Sequence, residues 1–142
     1  MNRIRPIAIC LFRRDGKILV FRGYDPAKDA TFFRPLGGGI EFGEHSTDTI
    51  RREIREEIGA EVEKLVYLGT LENIFTYNNT PGHEIVQVYD GVLTDTSLYE
   101  QAVLPGHEDS GKTIDILWKH LDEFGPGKAT LHPDGLLAIA TR

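Results

Sequence analysis

Apolar residues occur in short runs along most of the chain and switch to a helical spacing only near the middle and at the end. The runs "RPIAICLF" and "KILVFR" are joined by "RRDG", and an Asp-Gly pair at that distance predicts a β-hairpin. The next stretch, "GYDPAKDATFFRPLGGG", is punctuated by Gly and Pro and predicts a loop. Ile50, Ile54 and Ile58 then recur every four residues, which predicts a helix over 46–58 with one apolar stripe, opened by Ser46, Thr47 or Asp48 and closed by Gly59. Three further β-like segments follow, "KLVYLGTLENIFTYN", "HEIVQVYDGVL" and "TIDILWKHL", separated by "NTPG" and by a polar stretch around "LPGHEDSGK". In "HPDGLLAIATR" the apolar spacing predicts a second, short helix with Pro133 just inside its start. The order ββ, loop, α, β-rich meander, α implies an α/β protein, a mixed sheet with helices packed against it. No repeat or linker interrupts the 142 residues, so one domain spanning 1–142 is expected.

Composition changes this picture little. With 40% hydrophobic and 27% charged residues the chain reads as a globular protein. The run "PIAICLF" is too short for a membrane span and reads as a buried strand, so a cytoplasmic protein without a membrane partner is expected. Cys10, the single cysteine, lies in that run and cannot form an internal disulfide; it reads as a small buried hydrophobe. The net charge of −6 argues against a stable nucleic-acid complex, which relies on clustered Lys and Arg. An anionic substrate would need positive charge from another source.

The charges on the predicted helix are unusual. On a helical wheel the isoleucines occupy one arc, Glu53, Glu56 and Glu57 the next, and Arg51, Arg52 and Arg55 the one beyond. Glu53 therefore faces Glu56 and Glu57, and Arg51 faces Arg55. Each like-charge contact costs about what a favourable i, i+4 pair contributes, roughly 0.2–0.5 kcal/mol. A hard divalent cation would turn the acidic cluster from a repulsion into a chelate. Immediately upstream, Gly37, Gly38 and Gly39 allow tight turns and close approach of backbone to a ligand.

Taken together these residues resemble the signature of the Nudix hydrolases. Gly38 begins the pattern, Glu44 follows after five residues, and Arg52-Glu53 follows after seven more. Ile54 is the aliphatic position, Glu56 and Glu57 are the paired acids, Gly59 is the last glycine and Ala60 the final small apolar residue. All seven fixed letters match, which at roughly one position in fifteen for each letter would arise by chance about once in 10⁸ trials. Leu36 precedes Gly37 here, whereas members of the family often have Pro-Gly-Gly.

The resemblance implies the Nudix fold, a mixed sheet sandwiched between helices. It also implies Mg²⁺- or Mn²⁺-dependent attack of water on a diphosphate bond in a nucleoside diphosphate linked to another group: a nucleoside triphosphate, a dinucleoside polyphosphate or a nucleotide sugar. Glu53, Glu56 and Glu57 are then the metal ligands with the Gly38 carbonyl. Arg52 orients the acids, and Glu44 supports the helix or an outer metal shell. The general base is Glu56 or an acid from a late loop, with Glu108 ahead of Asp109 and Asp115. Arg34 is the candidate for a substrate phosphate, and Phe75 and Tyr77 for the base. Phe33 is a candidate for either base or core, and His83 and Glu84 are further candidates for substrate contact. Two alternatives stand beside this: a non-catalytic nucleotide-binding regulator, and an isomerase on the same fold that would need a catalytic cysteine. The partner is a small nucleotide, and a homodimer is the assembly the resemblance suggests.

Overall fold

The computed structural model describes residues 2–108 and 110–142. Seven strands, β1 (Ile4–Arg14), β2 (Lys17–Asp25), β3 (Ala30–Gly39), β4 (Val62–Tyr77), β5 (Thr80–Leu93), β6 (Val103–His107) and β7 (Thr113–His120), form a mixed sheet ordered β4-β5-β1-β3-β2-β7-β6. Among the described strands β1 and β5 pair in parallel and the other neighbours are antiparallel. Two α-helices, α1 (Ser46–Ile58) and α2 (Leu136–Ala140), complete the α/β fold together with two short 3₁₀ turns.

Strand alternation on β1 decides which helix lies where. Ala8, Cys10 and Phe12 point to one face, where they pack with Ile50 and Ile54 of α1; Ile7, Ile9 and Leu11 point to the other, where they meet Leu136 and Ile139 of α2. The sheet is thus enclosed on both faces. Cys10 is fully buried in the α1-side core, and burial pushes its thiol pKa well up, as expected of a packing residue.

The first hairpin turns at Asp15-Gly16, both with positive φ, as an Asp-Gly turn requires. The stretch 23–39 differs from the expected loop. Most of it is strand: β2 continues to Asp25, and β3 pairs first with β2, from Ala30 to Pro35, and then with β1, from Leu36 to Gly39. Gly and Pro are tolerated because the strand changes partner at Pro35-Leu36. The β4–β5 turn likewise falls on Asn78-Asn79, both at positive φ, and leaves Thr80-Pro81-Gly82 of the expected "NTPG" break inside β5. Part of the polar stretch after residue 103 forms the edge strand β6. Helix α1 begins at Ser46 with His45 as its N-cap, so Ser46, Thr47 and Asp48 lie in the first turn; Gly59 ends it in the left-handed conformation. Helix α2 starts later than Pro133 suggested, with Gly135 as its N-cap. Among the described residues no helix is long and apolar enough to cross a membrane.

Candidate active site

Burying the isoleucine stripe of α1 turns Glu53 and Glu57 toward the glycine end of β3, and both acids are buried. Gly38 makes that approach possible: a Cβ there would lie 2.6 Å from Glu53 Oε1, so only glycine lets the carboxylate rest on the strand. A Cβ on Gly37 would collide with the Ala8 carbonyl oxygen, and the Gly37 N–H donates to Glu57 Oε1 at 3.2 Å. Glu56 lies outside this contact, with its side chain 43% exposed.

Arg52 organises the acids. Its Nε donates to Glu44 Oε2 at 2.9 Å, its Nη2 to Glu44 Oε1 and to the Gly39 carbonyl, each at 3.0 Å, and its Nη1 to Glu53 Oε1 at 2.7 Å. The same Nη1 is 3.5 Å from Glu56 Oε1. Glu44 also accepts from the Thr49 hydroxyl at 2.6 Å and from the Glu41 N–H at 3.1 Å. The Arg52 hydrogen bonds, then that of Thr49, hold the Glu44 carboxyl down at about 2, and the same contacts push the Arg52 pKa up. Partners outside the acidic stripe therefore relieve much of the conflict that the helical wheel shows: Arg52 reaches Glu44, Arg55 pairs with Glu61 at 2.6 Å, and Arg51 lies 3.8 Å from Asp48.

Carboxylate oxygens beside an open glycine backbone are a donor set suited to Mg²⁺ or Mn²⁺. Glu53 and Glu57, with the Gly38 backbone against Glu53, are the residues best placed to hold one. Three carboxylates converging on one point, as the i, i+3, i+4 spacing suggests, are not seen: among the described residues no group of three or more His, Cys, Asp or Glu is disposed to hold an ion. Glu56 is turned outward, and an Arg52 nitrogen stands between it and Glu53.

The glycines and the two buried acids border a cleft of about 210 Å³, whose other walls carry Arg5, Arg34, Glu84 and Glu108. A larger cavity of about 1050 Å³ shares Arg5, Phe21, Arg34, Glu84, Glu108 and Ile114 with it. Arg34, Phe75 and Tyr77 all line the larger cavity. Burial pushes the Arg34 pKa down, with Glu84 opposing and Arg5 reinforcing the shift. Glu108 borders both cavities, and Asp115 lines the larger one while pairing with Arg22 at 3.0 Å. Asp109 lies outside the described residues.

Phe33 belongs to the core, 7% exposed and edge-on to Phe124. Its neighbour Phe32 lines the cavity instead, edge-on to Tyr77 and to His132. His83 lines neither cavity and pairs across the sheet with Ile4 and Ile74, whereas Glu84 is buried and borders both. Arg5, Phe32 and Asn73 carry no local sequence signal for a site; only strand register brings them to it.

The model of the NUDIX domain family matches residues 1–138, and the chain belongs to that family. Over 68 residues, 48% of the chain, it is 37% identical to a protein named NAD-capped RNA hydrolase NudC from Pseudomonas putida (strain GB-1), and 35% identical over the same length to one of that name from Pseudomonas aeruginosa (strain LESB58). The matched region is 24% of either relative, so the chain spans about a quarter of the length of the curated relatives it matches. The fold is also that of a MutT NUDIX hydrolase from Burkholderia pseudomallei, with a TM-score of 0.66 at 20% identity, covering 98% of this chain and 96% of that one. A NUDIX hydrolase from Nitrosomonas europaea gives a TM-score of 0.66 at 18% identity, covering 98% and 86%.

Proposed function

We propose that the chain is a Nudix pyrophosphohydrolase, a single domain over 1–142, that hydrolyses a diphosphate bond in a nucleoside diphosphate linked to another group. The observation that carries this is the cleft itself: two buried carboxylates of α1 lie against a glycine backbone, and Arg5 and Arg34 line the same cleft. A diphosphate placed there has its oxyanions within a cleft lined by a cation site and by two guanidiniums. Glu53, Glu57 and the Gly38 carbonyl would hold Mg²⁺ or Mn²⁺, with Glu56 joining them by rotation of its exposed side chain; the ion when bound neutralises phosphate charge and acidifies water. Arg52 and Glu44 orient those carboxylates. In the reaction a water oxygen forms a bond to phosphorus as the anhydride P–O bond breaks; the water proton passes to Glu56, with Glu108 the next choice as base and Asp109 and Asp115 after it, and the other phosphate leaves. Phe75 and Tyr77, with Phe32, supply aromatic surface for the base.

The same bond type occurs in the NAD cap named for the Pseudomonas relatives, so dinucleotides belong among the substrates to be tested. The isomerase alternative loses support because Cys10 is fully buried. We further propose a cytoplasmic protein that binds a small nucleotide and forms no stable nucleic-acid complex; light scattering of the purified chain reads whether it is a homodimer. The decisive experiment incubates the protein with nucleoside triphosphates, dinucleoside polyphosphates, NAD and nucleotide sugars, with Mg²⁺ or Mn²⁺, and identifies products by mass. Metal-dependent release of a nucleoside phosphate is expected. No hydrolysis combined with tight binding of one ligand would favour the regulatory alternative.

A further inference from the structure

Asn73, Glu84 and Arg5 stand opposite one another on β4, β5 and β1, forming a polar row along the larger cavity, and Glu84 and Arg5 also border the smaller cleft. The Glu84 side chain is 4% exposed. Its Oε1 accepts from Asn73 Nδ2 at 3.2 Å and lies 3.7 Å from Arg34 Nη2, while its Oε2 lies 3.8 Å from Arg5 Nη1. Burying a carboxylate is costly unless it is paired, and a single cation would pair it. Here two guanidiniums share one carboxylate, so Glu84 alone does not cancel the charge of both. The Arg–Glu separations exceed those of charge-assisted hydrogen bonds, which leaves guanidinium N–H groups to offer to an anion. Arg5 is also laid along the glycine strand, where a Cβ on Gly39 would come within 3.3 Å of its Nη2. Glu53 and Glu57 border the same cleft.

We propose that Glu84 is a positioning residue that holds the Arg5 and Arg34 guanidiniums on the cleft wall as a pair, so that together they receive one phosphate of the diphosphate. The inference rests on the diphosphate-hydrolase reading and deepens it, adding a second cation and the carboxylate that aims both. Purely electrostatic reasoning makes the opposite prediction for Glu84→Gln: removing a negative charge beside two arginines tightens anion binding.

The test titrates inorganic pyrophosphate, without divalent metal, into the full chain and its Glu84→Gln, Glu84→Asp and Arg34→Ala variants by calorimetry, and runs steady-state kinetics on the preferred nucleotide. Glu84→Gln is expected to weaken pyrophosphate binding about tenfold and to raise KM by a similar factor, with kcat within about threefold of the parent. A loss of stability alone would raise the apparent Kd only by the inverse of the folded fraction, which circular dichroism under the titration conditions reads. Should Glu84→Gln fail to fold, Glu84→Asp keeps the charge but withdraws it by one methylene, and the same weakening is expected. Unchanged or tighter binding in the Glu84 variants overturns the proposal, as does parent binding no stronger than that of Arg34→Ala. If the parent hydrolyses nothing yet pyrophosphate binding still depends on Glu84, the hydrolase reading fails and the positioning role stands.

Discussion

Replacing Glu44 with Gln tests how the acidic helix is held. Glu44 accepts two Arg52 hydrogen bonds at 2.9 and 3.0 Å, one from Thr49 at 2.6 Å and one from the Glu41 N–H at 3.1 Å. Gln keeps the shape but loses the charge and puts an NH₂ toward a group that can only donate. Depression of the carboxyl from 4.5 to about 2 corresponds to at most about 3 kcal/mol at neutral pH. The side chain keeps 15% exposure, and screening by water reduces the expectation to about 1–2 kcal/mol. The folded-state pKa is below the unfolded one, so this stability is present above about 4.5 and is lost as pH falls toward 2. Urea unfolding of parent and Glu44→Gln at pH 7, 5, 4 and 3 should show a stability difference that is full at pH 7 and shrinks steadily below pH 5. A difference that stays constant with pH, or a variant as stable as the parent at pH 7, would refute the account.

Glu56→Gln and Glu57→Gln should each abolish Mg²⁺-dependent hydrolysis with circular dichroism unchanged, because a Gln at 57 can still accept from the Gly37 N–H; retained turnover in both would sink the assignment. Gly38→Ala should cut kcat at least about tenfold by forcing the Glu53 carboxylate off β3, and activity equal to the parent would show that the close approach is dispensable. Cys10 should resist iodoacetamide in the native state and react only on unfolding, read by mass spectrometry, because it is fully buried and its thiol pKa is raised.

What was legible from sequence is what local spacing decides. The isoleucine stripe of α1, its glycine stop and the Asp-Gly hairpin each depend on residues a few positions apart, so their geometry follows from the helical or strand period. The placement of Gly38 against Glu53 belongs in part to this group, since the signature links both residues to one short segment. Strand β3 was hidden because Gly and Pro punctuate it, and its regularity comes from two different partner strands. Phe32 and Phe33 are adjacent and chemically identical, so nothing local says which enters the core and which faces the cavity; that depends on the side of the sheet each takes.

The tertiary structure alone decided the polar wall of the cleft. Arg5, Arg34, Asn73 and Glu84 come from four strands, and each looks like an ordinary strand residue where it stands in the chain. Their meeting depends on the parallel register of β1 with β5 and the antiparallel register of β5 with β4, and a shift by one residue would send each side chain to the opposite face. It likewise turned Glu56 outward and set Arg52 between it and Glu53. The sequence by itself determined the acidic helix, its glycines and hence the class of chemistry, because the acids recur at helical spacing and the glycines stand at fixed distances before them in one short segment. Long-range pairing decided which cations face that helix, because register is a property of strands in contact and not of any strand alone.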